Sequence, residues 1–177
     1  MKILTTQLTG LLQRITQSEE ESIEETARLL AQASVGQGNV YFACFDELQA
    51  VELNALHGSE TFYKLVPWTP ETEITEVDRV CIFTTSCKNE TALHLAKQLS
   101  TAFIPFSVIA SEAPGEDNEL SELAYTYISM KIRGGLIPHP TKLGERIIIP
   151  HLFAALFIYE AIKLSYDEMI DDEEELA

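Results

Sequence analysis

A chain of 177 residues with a net charge of −16 is long enough to bury one core, and too acidic for nucleic acid or an anionic membrane as its main partner. Its 46% hydrophobic content is that of a globular protein, and its longest apolar run, "LFAALFIY" at 152–159, falls far short of the roughly 20 residues a spanning helix requires. Cys44, Cys81 and Cys87 show no CxxC spacing and fit free thiols in a reducing compartment, and no leader-like start is visible, so a cytoplasmic protein is expected.

In chain order, Leu4, Leu8, Leu11, Leu12 and Ile15 form one apolar stripe and predict a helix over 3–16. Ser18, with Glu21 three residues on, reads as a capping box opening a second helix that stops near the "GQG" of 36–38. "NVYFAC" (39–44) is short and apolar, as a buried strand is, and "ELQAVELNALHG" (47–58) reads as a helix ending in a left-handed cap at Gly58. "TFYKLVPW" (61–68) is the next predicted strand, followed by "RVCIFTT" (79–85) and a helix from about Asn89 to Ser100. "AFIPFSVIA" (102–110) is a further strand, "ELSELA" (119–124) a short helix and "YISMKI" (127–132) the last strand. A long helix begins near Pro150, and from Leu152 to Ile162 only Glu160 is not apolar or aromatic. A helix hydrophobic nearly all round has to be buried on most sides, and a dimer interface is one way to bury it.

Strands alternating with helices predict a three-layer α/β/α sandwich of about five parallel strands in the flavodoxin-like order 2-1-3-4-5. The single domain would end at 166. Beyond it, 167–177 holds seven acids and no base and reads as a solvated acidic tail. In such a sheet ligands lie beyond the strands' carboxyl ends, where strand order reverses. The loops "CFDEL" (44–48) and "TTSCKNET" (84–91) would meet there. The second brings Thr84, Thr85, Ser86, Asn89 and Thr91 to a helix N-terminus, whose free amides attract anions. The plainer reading of that loop is helix capping by Asn89 after a polar turn.

The stretch 78–111, "DRVCIFTTSCKNETALHLAKQLSTAFIPFSVIAS", resembles the second half of a SIS (sugar isomerase) phosphosugar-binding domain. There a strand ends in a Ser-x-Ser-Gly-x-Thr loop followed by a helix; Thr84 and Ser86 match the two serines. "GNVYFACFDELQAVELNAL" (38–56) falls where that family has its first strand and a Gly-x-Gly-x-Ser loop, so the resemblance covers most of the chain. More narrowly, the sequence resembles a functionally uncharacterised SIS-like group from bacilli. The resemblance implies a homodimer that binds sugar phosphates.

The departures bear on function. Cys87 and Asn89 replace the second loop's glycine and threonine, while Ala43, Phe45 and Glu47 replace the first loop's glycines and serine. A side chain such as Phe45 obstructs the backbone's approach to an anion, and Glu47 repels one. Leu53 and His57 stand where the resemblance implies the histidine and glutamate of a heptose isomerase, so that pair is not matched.

Four of the twelve basic residues, Lys131, Arg133, Lys142 and Arg146, fall within "KIRGGLIPHPTKLGER" (131–146), together with His139. This segment follows the last strand and is expected to fold over the crevice, where Arg133 and Arg146 would supply the anion contacts the first loop has lost. The bland alternative is a surface loop answering nearby acids. Cys44 and Cys87 end adjacent strands, and the helix start beside Cys87 would lower its thiol pKa; a redox pair would need the two within bonding distance. No metal spacing links His57, His94, His139 and His151, and no cofactor signature is present.

The leading expectation is therefore a protein that binds an anionic carbohydrate derivative, a sugar phosphate, in the crevice, through Thr84, Thr85, Ser86, Asn89, Thr91, Arg133, His139 and Arg146. If it isomerises that ligand, Glu47, Glu52 or His151 would act as acid or base. The alternative is a non-catalytic regulatory or interaction module on a decayed SIS scaffold.

Overall fold

The structure is a computed structural model that describes the backbone of residues 1–176 and the side chains through 171. Helix α1 (Lys2–Val35) runs unbroken for 34 residues, so the expected division at Ser18 is absent. The apolar stripe continues across it: Leu11, Ile15, Glu19, Ile23, Thr26 and Leu30 are all buried at helical spacing. Ser18 is no cap, because its Oγ donates back to the Arg14 carbonyl at 2.8 Å.

Four parallel strands follow: β1 (Val40–Cys44), β2 (Arg79–Phe83), β3 (Phe106–Ala110) and β4 (Thr126–Ser129), hydrogen-bonded in the order β1-β2-β3-β4. The strand expected at 61–68 is reduced to one parallel bridge, Val40 to Leu65, on the outer side of β1. Lys64 has φ 56°, a left-handed turn that breaks an extended run, and Pro67 lacks the N–H to resume it. The bridge still lies where the second strand of the expected order belongs. Strand number is lower than expected; strand order is not changed.

Between the strands lie a 3₁₀ turn (Asp46–Leu48) leading into α2 (Gln49–His57), then α3 (Glu90–Thr101) and α4 (Glu119–Leu123). A small antiparallel hairpin, β5 (Ile137–Pro138) with β6 (Arg146–Ile147), precedes α5 (His151–Leu176). Gly58 closes α2 with φ −65°, an extended rather than left-handed cap.

Alternation along β1 separates the two faces of the sheet. Val40, Phe42 and Cys44 point into a core with α1, α2 and α5, whereas Tyr41 and Ala43 point toward α3 and α4. Three layers result. Helix α5 buries Ala154, Ala155, Ile158, Tyr159, Ile162 and Tyr166 in the first core. The burial expected on most of its sides is not found within one chain, since Phe153 is 57% and Leu164 68% exposed. Within the expected acidic tail, α5 runs on through Leu176, and Asp167 pairs with the buried Lys163. The side chains of Asp172 to Glu175 lie outside those described. No helix among the described residues is long and apolar enough to cross a membrane.

Candidate functional site

Each strand ends in a loop at the same edge of the sheet, and the loops after β1, β2 and β3 are hydrogen-bonded to one another there. Thr84 is fully buried; its N–H donates to the Ile109 carbonyl and its Oγ to the Ser86 carbonyl at 3.1 Å. Thr85 offers its carbonyl to Ser111 Oγ at 2.6 Å. Asn89 caps α3 by accepting the Ala92 N–H, and its Nδ2 donates to Asp46 Oδ2 at 3.2 Å, joining the β1 and β2 loops. Asp46 itself holds φ 54°, a left-handed conformation at the place where the chain leaves β1.

The donors in the β2 loop have an occupant. Ser86 Oγ donates to Glu112 Oε1 at 2.7 Å, and the Cys87 N–H donates to Glu112 Oε2 at 2.8 Å. Partial burial raises the Glu112 carboxyl, but the bonds from Ser86 and Cys87 outweigh it and hold the group below its ordinary value of 4.5. The loop that carries Glu112 is fixed as well. Tyr127 donates to the Glu112 carbonyl at 3.0 Å, and Asn118 Nδ2 donates to the Ala113 carbonyl at 3.0 Å.

Beyond β3 and β4 opens a cavity of about 740 Å³, with Glu112 in its wall. Helix α1 contributes Gln7, Leu11 and Arg14; the strand ends contribute Ser111 and Ser129; the following segment contributes Lys131 to Leu136, with Arg146 from β6. Gly135 allows β6 to close against this segment, because a Cβ there would lie 2.6 Å from Ile147 backbone atoms. Lys131 pairs with the buried Glu19 at 2.5 Å, and Arg146 donates to the carbonyls of Gly135 and Leu136. Among the described residues, the guanidinium groups of Arg14 and Arg133 have no ion pair and no hydrogen-bonded partner.

Other residues singled out from sequence lie elsewhere. Thr91 borders a separate groove of about 350 Å³ with Trp68 and His94. His139 Nδ1 accepts the Lys142 N–H at 3.1 Å within the hairpin turn. Glu52 accepts the Trp68 N–H at 2.9 Å, and Glu47 meets His151 Nδ1 at 3.0 Å, linking the β1 loop to the start of α5. Phe45 does not enter the cavity; its ring packs edge-on against Trp68 at 5.8 Å on the α3 side of the sheet.

The thiol expectation is corrected. Burial raises the Cys87 thiol, and the Glu112 charge raises it further, against the lowering expected from a helix start. Cys44 is raised well above its ordinary value by burial, Cys81 to about 12, and all three are free. Among the described residues no group of three or more His, Cys, Asp or Glu side chains could hold a metal ion.

Arg14 and Glu112 were missed by the sequence reading. Arg14 lies on α1, far in sequence from every loop, and only its place on the cavity side of the stripe distinguishes it. Glu112 follows β3 directly, and its position at a strand's carboxyl end was the available signal.

A family described as a domain of unknown function, DUF2529, matches residues 1–170. The chain belongs to that family. An uncharacterised Bacillus subtilis protein, YwjG, is 33% identical over 177 residues, covering 97% of this chain and 98% of its own length. The fold is that of SIS phosphosugar isomerases. Phosphoheptose isomerase GmhA from Neisseria gonorrhoeae superposes with a TM-score of 0.67 at 13% identity, over 93% of this chain and 95% of its own. The Vibrio vulnificus NanR protein complexed with ManNAc-6P gives 0.66 at 10% identity, over 97% of this chain and 63% of its own.

Proposed function

We propose that this protein binds a sugar phosphate in the cavity beyond β3 and β4. The observation that carries the reading is the pair of unpartnered guanidinium groups, Arg14 and Arg133, lining one cavity in a chain of net charge −16. Two planar cationic forks suit a phosphate's oxygens, and the exposed Gln7 carboxamide in the same wall suits a sugar's hydroxyls. The volume of about 740 Å³ is within the range of small-molecule sites. Arg146 fastens the β5–β6 hairpin at the cavity's edge, and Glu112, held by the 84–89 loop behind it, forms part of the wall. The NanR fold solved with ManNAc-6P supports this ligand class. The protein would act in a reducing compartment, the cytoplasm, as a homodimer packed through the exposed Phe153 and Leu164 of α5.

A thermal-shift panel of sugar phosphates, their parent sugars and inorganic phosphate tests the reading. A sugar phosphate at about a hundred times its Kd stabilises by about 2.7 kcal/mol, a readily measured rise in Tm. No response to any phosphorylated sugar would refute it. A second reading, a non-catalytic interaction module on a decayed scaffold, is favoured by one observation: Glu112 already holds the loop donors that a phosphate would need. Under that reading the whole panel is silent.

A further inference from the structure

We infer that the 84–89 loop is an anion position held shut by the chain's own Glu112 carboxylate, and that phosphate enters the loop only when Glu112 leaves it. The inference rests on the proposal that this crevice takes a phosphorylated ligand, and it adds how access to one wall is controlled.

The geometry supports an occupant more than a simple packing contact. Each oxygen of one carboxylate takes a separate donor: a hydroxyl, Ser86 Oγ, and a main-chain amide, the Cys87 N–H. An oxyanion bound at this turn would use the same two donors, and Lys88 and Asn89 follow directly at the start of α3. Glu112 comes from a different loop, after β3, so the contact is a tertiary one and not an ordinary local cap.

The departure requires little rearrangement. Ser111 is bound to Thr85 and the Glu112 carbonyl to Tyr127, so the backbone on both sides is anchored independently of the carboxylate. The side chain is only partly buried and borders the open cavity, so rotation about its own bonds releases the loop donors without unfolding. While Glu112 stays, its charge repels a second anion from the same donors. In that arrangement an incoming phosphate is left to Arg14 and Arg133 on the other wall.

The test is calorimetric titration of inorganic phosphate into the wild type, Glu112→Ala, and Glu112→Ala combined with Ser86→Ala. The expected result is phosphate binding at least about ten-fold tighter in Glu112→Ala than in the wild type, a gain of about 1.4 kcal/mol. Adding Ser86→Ala removes that gain. Equal affinity in Glu112→Ala and the wild type overturns the inference, as does a gain that survives loss of Ser86. If Glu112→Ala fails to fold, Glu112→Ser keeps a polar side chain but shortens it out of reach of the loop donors. A gain there supports the inference and no gain overturns it. Glucose 6-phosphate titrated into the wild type separates the two ideas. Binding there without a gain in the variants sinks this inference and leaves the functional reading standing. A gain in Glu112→Ala that Ser86→Ala removes supports this inference whether or not glucose 6-phosphate binds, and the functional reading is then decided by the full sugar-phosphate panel.

Discussion

Two carboxylates fasten this crevice, and each gives a measurable consequence at the residue scale. Glu19 is 5% exposed in the middle of α1, where it accepts the Ser129 N–H at 3.1 Å and pairs with Lys131. Removing it leaves a buried amide and a partly buried ammonium unpaired. Glu19→Ala is therefore expected to lower unfolding free energy by about 3 kcal/mol in urea titrations. Glu112 is held below its ordinary 4.5, so its contribution to stability is complete above that pH and is lost as pH falls through the depressed folded value. Urea midpoints measured from about pH 6 downward to about pH 3 should fall less steeply in Glu112→Gln than in the wild type. Equal slopes would mean that Ser86 and Cys87 do not hold the carboxylate. At this scale the sequence was only partly legible. Ser86 and Asn89 could be placed at the crevice from the strand–loop–helix pattern. That Ser86 is already engaged could not be read, because its partner lies 26 residues away and the bond forms only once β2 and β3 pair.

The same distinction between local and tertiary signals governs the elements. The strands at 39–44, 79–85 and 102–110 were readable as short apolar runs. The long α1 was misread because "SEEES" has the composition of a helix start, while the inward position of Glu19 is set by Ser129 and Lys131. Ser18→Ala is accordingly expected to leave helicity and stability unchanged within about 0.5 kcal/mol, where loss of a true N-cap costs about 1 kcal/mol. Circular dichroism with thermal melting distinguishes the two. The hairpin makes a sharper demand, since a Cβ on Gly135 would lie 2.6 Å from the Ile147 nitrogen and oxygen. Gly135→Ala should loosen β5–β6, seen as faster amide exchange at Leu136, whose N–H bonds the Ile148 carbonyl at 2.9 Å. Unchanged exchange there would show that β6 yields without cost.

Over the whole molecule, layer order and strand order followed from the alternation of helix and strand, and the missing fifth strand from a turn at Lys64 that no period in the sequence marks. The charge of −16 is distributed so that Arg14, Lys131, Arg133 and Arg146 meet around one cavity, although Arg14 lies more than a hundred residues from the others. A site held by exposed arginines is screened by salt, so affinity for a sugar phosphate should fall as ionic strength rises from about 0.01 to 0.15 M. The central claim is that this cavity takes a phosphorylated sugar through Arg14 and Arg133. Calorimetric titration of one responding sugar phosphate into the wild type and into Arg14→Ala/Arg133→Ala tests it most directly. The account predicts saturable binding by the wild type and at least a hundred-fold weaker binding by the double variant, a loss of about 2.7 kcal/mol. Equal affinity in the two proteins would contradict it.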